Sequence, residues 1–222
     1  MSRGVITRLE VQKRSKERVN VYIDGAFAFG LSLIDAARLK KGQTLSDAEI
    51  TALQRADEVG KAIDRAARFL GVRPRSVAEV RRNLADKDLP AEIIEAAIER
   101  LTMLGHLDDL AFAHFWIQNR NEFKPVSRRA LRQELRRKGV ESAVIDAALG
   151  EQDESDAAYR AAQGQARRVR ERSRREFKAK LSAFLARRGF SFSTIDDVVS
   201  RLMDELEAED PERFTRTVDY ED

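Results

Sequence analysis

The chain has 222 residues, of which 42% are apolar and 36% charged, with no cysteine and a formal net charge of +3. The missing cysteines exclude disulfides, thiolate zinc sites and cysteine nucleophiles. A charged fraction well above the roughly one-quarter of ordinary domains favours an elongated or repeat-built body over a compact globule. The N-terminal Met1 to Glu10 has no apolar run of the signal-peptide kind, and no stretch approaches the roughly 18 apolar residues of a membrane span, so a cytoplasmic protein with no membrane partner is expected.

Residues 1–56 read as a β region followed by short helices. Ile6 to Val11 and Val19 to Ile23 alternate apolar and polar side chains, and Asp24-Gly25 separates the second run from Ala26 to Gly30. An Asp-Gly pair suits a tight turn with positive φ at both centres, so three short antiparallel strands are expected. They are too small to stand without a helix to pack on. Ser32 with Asp35 predicts a capped short helix over Ala36 to Leu39, stopped by Lys40-Lys41-Gly42. Ser46 with Glu49 predicts another ahead of Ile50 and Leu53. No further strand is expected from Leu45 to Leu206.

From there the chain repeats. Arg73 to Leu89 lies on Lys124 to Val140 at a constant offset of 51, placing Pro74 on Pro125, Ser76 on Ser127, Val80 on Leu131, Leu84 on Leu135 and Lys87 on Lys138. At an offset of 50, Leu131, Leu135, Lys138, Gly139 and Val140 fall on Leu181, Leu185, Arg188, Gly189 and Phe190. Each copy reads as three helices, the first starting near Asp57, Asp108 and Glu154, the second near Ser76, Ser127 and Arg174, the third near Pro90, Glu141 and Ser193. Asp108, Ser127 and Ser193 are candidate N-caps, Pro90 suits a first helical position, and Gly139 and Gly189 suit left-handed helix ends. Ile94, Ala97, Ile98 and Leu101 form an apolar stripe at helical spacing. The expected architecture is mainly α: three tandem three-helix repeats (57–107, 108–153, 154–207) in an elongated, curved array behind the β region, with an acidic tail at 208–222. Asn119 to Val126 and Leu149 to Ser155 are the expected joints.

Little points to catalysis. The two histidines, His106 and His114, lack a partner set for general-base work, and Asp108-Asp109 reads as a helix cap ahead of Leu110, Phe112, Ala113 and Trp116. Neither G-x-x-x-x-G-K-[ST] nor G-x-G-x-x-G occurs, so no nucleotide, cofactor or metal is expected, and no enzyme activity. Phe112, Phe115, Trp116 and Phe123 could stack bases, but their spacing favours core, as it does for Phe177, Phe184, Phe190 and Phe192.

The cations carry the functional reading. Arg160 to Arg188 holds 11 Lys/Arg against 2 Glu, and Ile195 to Asp222 holds 11 Asp/Glu against 3 Arg. The acidic end could cover the basic block when no partner is bound. Arg128, Arg129, Arg132, Arg136, Arg137 and Lys138 crowd one helix, with Glu134 the nearest acid. Arg167, Arg168, Arg170, Arg172, Arg174, Arg175, Lys178 and Lys180 crowd another and its approach, near Glu171 and Glu176. The plain alternative is a solvated helix face; the functional one is a surface for an anionic polymer or an acidic protein groove. The residues expected to meet a partner are Arg128, Arg129, Arg132, Arg136, Arg137, Arg167, Arg168, Arg170, Arg174, Arg175, Lys178 and Arg188.

Arg73-x-x-Ser76-x-x-Glu79-Val80-x-x-x-Leu84-x-x-Lys87, Leu104-Gly-His-Leu-Asp-Asp109-x-x-Phe112-Ala113, Leu131-Arg-Gln-Glu-Leu-x-x-Lys-Gly139, Phe184-Leu-Ala-Arg-Arg-Gly-Phe190 and Val21-Tyr-Ile-Asp-Gly-Ala-Phe-Ala-Phe-Gly30 together resemble the RecX family, over most of positions 20 to 206. Asp88 and Ser127 stand where that family often has glycine, and His106 where it often has an aromatic residue. The resemblance implies a negative regulator of the RecA recombinase that lies in the groove of the RecA–DNA filament. It limits filament extension, ATP hydrolysis, strand exchange and coprotease activity, in homologous recombination, DNA repair and the SOS response. It implies the RecA filament as partner, with weak, non-specific binding to single- or double-stranded DNA, and a monomer is expected. The rivals are a helix-turn-helix transcriptional regulator reading bases through Ser127 to Lys138, and an enzyme acting on nucleic acid.

Overall fold

A computed structural model of the chain describes residues 3–13, 15–150, 154–170 and 173–214. Glu171 and Arg172 of the basic run, 151–153 of the second expected joint and 215–222 of the acidic tail lie outside the described residues. The chain divides into two compact units, one ending at Asp108 and the other beginning at Asp109.

In the first unit, strands β1 (Arg3–Val11), β2 (Arg18–Ile23), β3 (Ala26–Ser32) and β4 (Thr44–Ser46) form an antiparallel sheet in the order β3-β2-β1-β4. The expected three strands are therefore four: β4 is a three-residue segment whose strand character comes from pairing its Leu45 with Gly4 of β1, not from any alternation of its own. The Asp24-Gly25 turn has φ of +50° and +87°, as the hairpin reading requires. Between β3 and β4, α1 (Leu33–Ala36) is a single turn, capped by the Ser32 hydroxyl accepting from the Asp35 N–H; it ends before the expected Leu39.

The largest departure from the sequence reading is α2 (Asp47–Leu70), 24 residues without a break. Its Ser46–Glu49 capping box forms as expected, but no new helix starts near Asp57. That residue lies mid-helix and only 4% exposed. The Asp57 carboxylate is ion-paired to Arg18 on β2, reached by Lys61 Nζ at 2.7 Å, and within 3.4 Å of the Gly30 N–H on β3. Arg18 also reaches Asp64 at 3.5 Å. Before this point α2 lays Ile50 and Leu53 on the sheet core of Ile6, Val19, Val21, Phe29, Leu31 and Leu45. Beyond it, Ala62 and Ala66 enter the core of the first repeat.

That repeat continues with α3 (Val77–Ala85) and α4 (Ala91–Met103). Ser76 and Glu79 form a complete capping box, and Arg73 braces Glu79 at 2.9 Å. Asp88, in the turn that follows, adopts φ +56°, the left-handed conformation that glycine takes most readily. Pro90 occupies the N-cap of α4 and not the expected first helical position, which falls to Ala91. The Ile94–Ala97–Ile98–Leu101 stripe is buried against Val80 and Leu84.

The second unit holds two more helix triplets: α5 (Asp109–Phe123), α6 (Arg128–Arg137) and α7 (Ser142–Leu149), then α8 (Glu154–Ala166), α9 (Arg174–Arg187) and α10 (Phe192–Glu209). Gly139 and Gly189 end α6 and α9 at φ +82° and +88°. Each triplet encloses its own core, around Phe112, Ile117, Leu131 and Ile145 in one and Phe177, Leu181, Val199 and Leu202 in the other. Two aromatic expectations are corrected. The cap of α10 is Ser191, not Ser193, so Phe192 becomes the first helical residue, points outward and is 85% exposed. Phe123, at the last position of α5, is 73% exposed, and Phe115 is exposed as well. After α10 the chain turns back and seats Phe214 against Phe177, with ring centroids 5.0 Å apart.

Two outcomes follow. Replacing Asp57 by alanine leaves the Arg18 guanidinium only the longer contact to the exposed Asp64 and should lower unfolding free energy by about 3 kcal/mol in urea titration, whereas Lys61→Ala, which removes an exposed partner, should lower it by no more than about 1 kcal/mol. In the third repeat, Tyr159 donates to the Glu205 carboxylate, which Arg201 also binds at 2.9 Å. The Tyr159 bond first, then Arg201, holds the Glu205 carboxyl below its ordinary value, and the same bond raises the Tyr159 phenol. The depressed carboxyl stabilises the fold above the carboxylate range and that contribution is lost as pH falls through it. The raised phenol contributes below its ordinary value and loses its part as pH rises past about 10. Glu205→Gln should therefore flatten the acid limb of a melting-temperature-against-pH curve.

Candidate functional site

Helix α6 sorts its cations by face. Leu131 and Leu135 point into the core, and the arginines beside them are used to hold the repeat together: Arg128 donates to the Gly150 carbonyl at 2.6 Å and Arg132 pairs with Asp146 of α7. Glu134 accepts from Trp116 Nε1 and Arg120 Nε, both at 2.8 Å, and Lys138 Nζ sits 4.1 Å from the Trp116 ring centroid. Arg129, Arg136 and Arg137 are exposed and make no ion pair among the described residues. Arg129 and Arg136, seven residues apart, share one face of the helix about 10 Å apart along its axis.

The third repeat sorts its cations in the same way. Arg174 is bound by Glu207 at 2.8 Å and Asp204 at 3.5 Å, and Lys178 by Asp196 at 2.8 Å, so acids of α10 neutralise part of the basic run from within the fold. These acids stand on a helix; most of the acidic tail expected to cover the basic block lies outside the described residues. Arg167, Arg168 and Arg170, at the end of α8 and in the segment after it, are exposed without an ion pair among the described residues. So is Arg175 on α9.

Arg188 belongs to neither group. Its guanidinium donates to the Pro125 carbonyl at 2.7 Å and lies 4.5 Å from the Phe184 ring centroid. Burial, and then the charge of Arg168, lower its pKa from the ordinary arginine value. Its backbone carbonyl accepts the Ser127 N–H at 3.1 Å, while the buried Ser127 hydroxyl caps α6 by accepting from Ala130 N–H at 3.1 Å. A Cβ on Gly189 would come within 2.7 Å of that hydroxyl. Arg188 and Gly189 thus join the third repeat to the second. Of the twelve cations singled out in the sequence, five (Arg128, Arg132, Arg174, Lys178 and Arg188) are engaged internally, and Arg129, Arg136, Arg137, Arg167, Arg168, Arg170 and Arg175 are exposed and without an ion pair among the described residues. Arg160 and Arg187, counted in the basic block but not among the twelve, are exposed as well.

His106 and His114 are exposed, and among the described residues no group of three histidines or carboxylates is placed to hold a metal ion. No helix there is long and apolar enough to cross a membrane.

This sorting has a measurable signature. Arg188→Ala removes a charge-assisted bond and its packing, and should lower unfolding free energy by about 1.5–3 kcal/mol. Gly189→Ala should be destabilising too, through its positive φ and the approach to Ser127. Arg136→Ala should stay within about 0.5 kcal/mol of the parent. Urea titration of the three variants reads the difference.

Comparison with known proteins agrees with this architecture. Family models for the RecX N-terminal domain and for the first, second and third RecX three-helix domains match residues 4–46, 62–101, 108–149 and 151–199. The regulatory protein RecX of Bacillus pumilus is 32% identical over 212 residues, spanning 93% of this chain and 81% of that protein. That of Bacillus subtilis is 32% identical over 93% of this chain and 79% of its own length. A crystal structure of a regulatory protein RecX is similar with a TM-score of 0.71 at 29% identity, covering 88% of this chain and 98% of the other. RecX from Lactobacillus salivarius, at 22% identity and a TM-score of 0.58 over 67% of this chain and 98% of its own, shares the fold. The chain belongs to the RecX family of regulatory proteins.

Proposed function

We propose that the chain is a cytoplasmic, monomeric, non-enzymatic negative regulator of RecA that binds the RecA–DNA filament along its groove and limits filament extension, ATPase, strand exchange and coprotease activity. The observation that carries this reading is the set of unpaired arginines on the second and third repeats of a RecX-family chain. A structural salt-bridge surface would pair them, as it pairs Arg132 and Arg174. Exposed guanidiniums with no partner suit DNA phosphates or a carboxylate-lined protein groove. Several such contacts on tandem modules add through effective concentration, so a long partner is held although each contact is weak.

The test is RecA's DNA-dependent ATPase with increasing amounts of the chain. Slowing at substoichiometric protein is expected, and an unchanged rate at equimolar protein would overturn the reading. Joint replacement of Arg129, Arg136 and Arg137 by alanine should weaken filament binding severalfold, with far-UV circular dichroism unchanged. If those side chains meet phosphates, the log–log salt slope should also fall by about 0.7–0.9 for each phosphate no longer bound. A helix-turn-helix transcription factor would instead select one duplex sequence over others by a large factor.

A further inference from the structure

A cleft of about 260 Å³ lies within the second unit, where the end of α5 and the segment leading to α6 face α8 and α9. Its lining combines the rings of Phe123, Pro125 and Phe184 with the side chains of Arg160, Arg168 and Arg188.

Phe123 ends a helix whose Phe112 and Ile117 are buried, yet it reaches no core and stays 73% exposed. A single exposed phenyl needs no explanation. This one lines a cleft together with three guanidiniums. Arg188 is held in place by its bond to the Pro125 carbonyl and by the Phe184 face, so its orientation is fixed before any ligand arrives. Arg168 is close enough for its charge to act on Arg188, is exposed, and makes no ion pair among the described residues. Arg160 keeps one partner, Asp156, at 3.1 Å. The one acidic residue among those lining the cleft is Glu122, which is exposed. At Gly164 a Cβ would meet nothing within 4 Å, so the α8 side of the cleft has open space.

Two neighbouring guanidiniums that make no ion pair among the described residues favour an anion, and a solvent-facing ring lining the same cleft favours a flat apolar group. An unpaired nucleotide has both within one residue. Stacking of bases on aromatic rings beside arginines is the general chemistry of single-strand binding, and a base inside a duplex cannot offer its face this way. We propose that this cleft holds one nucleotide of a single-stranded nucleic acid, its base stacked on Phe123 and its phosphate bound by Arg168 and Arg188. The assignment deepens the nucleic-acid part of the reading above and rests on it.

Fluorescence anisotropy of the full chain tests it with three labelled polymers of equal length: oligothymidylate, an abasic deoxyribose-phosphate oligomer, and a blunt duplex. The parent should bind oligothymidylate about tenfold more tightly than the abasic oligomer. Phe123→Ala should abolish that preference while leaving abasic affinity and the salt slope unchanged, and Phe123→Trp should retain it. Arg168→Ala should weaken both single strands and lower the salt slope by about 0.7. Phe192→Ala, which removes a still more exposed ring outside the cleft, should change nothing. Equal affinity of the parent for the thymidylate and abasic polymers, duplex binding as tight as oligothymidylate, or a Phe123→Ala effect equal on all three, would each overturn the proposal. The RecA ATPase assay separates the two readings. Slowing without a Phe123-dependent base preference removes the cleft assignment alone, and the preference without slowing removes the regulatory reading alone.

Discussion

The first unit depends on an ion pair that the chain assembles from distant parts. A carboxylate in the middle of a helix and out of water is costly unless its charge is answered. Asp57 is the one charged side chain in the buried class among the described residues, and Arg18 from β2, Lys61 from one turn on and the Gly30 N–H from β3 all converge on it. A small antiparallel sheet has no independent stability, so it needs a helix face. Its apolar side finds one in Ile50 and Leu53, while the polar convergence on Asp57 fixes where along α2 the sheet sits. Burial alone is non-directional; the pair supplies the direction.

In the second unit the comparable constraint is a backbone bond. Ser127 uses its hydroxyl to cap α6 and its N–H to bind the Arg188 carbonyl, and the absence of a side chain at Gly189 lets the two segments approach. A serine buried at a helix start thus serves two purposes, one local and one between repeats. Beside it, Arg188 sends its guanidinium to the Pro125 carbonyl, a second bond between the same two segments.

Much of this was legible in the sequence because it rests on local chemistry. The Ser46–Glu49 and Ser76–Glu79 capping boxes, the Asp24-Gly25 turn, the left-handed Gly139 and Gly189 and the apolar stripe of α4 each lie within a few residues of chain. What was not legible depends on partners far away. The repeat put a helix start near Asp57, and it takes Arg18, remote in sequence, to make that carboxylate acceptable within a helix. Strand β4 exists because β1 passes beside it. Ser191, two residues before the expected cap, wins the start of α10 and turns Phe192 outward. The arginines stand out in the sequence by their number, but which are occupied depends on Asp146, Asp204 and Glu207, which no periodicity of the arginine helices reveals.

The unbroken α2 also limits how this molecule can be taken apart. Helical triplets suggest a modular plan in which pieces are added or lost at the seams, but one rod serves both the sheet and the first triplet. A gene fusion or shortening that began at the first triplet would strip Ile50 and Leu53 of their cover and leave Asp57 without Arg18. Growth by duplication is therefore structurally simpler toward the carboxyl end, where a triplet can be appended behind a turn, than at the front, where the sheet and the first triplet have to be inherited as a single piece.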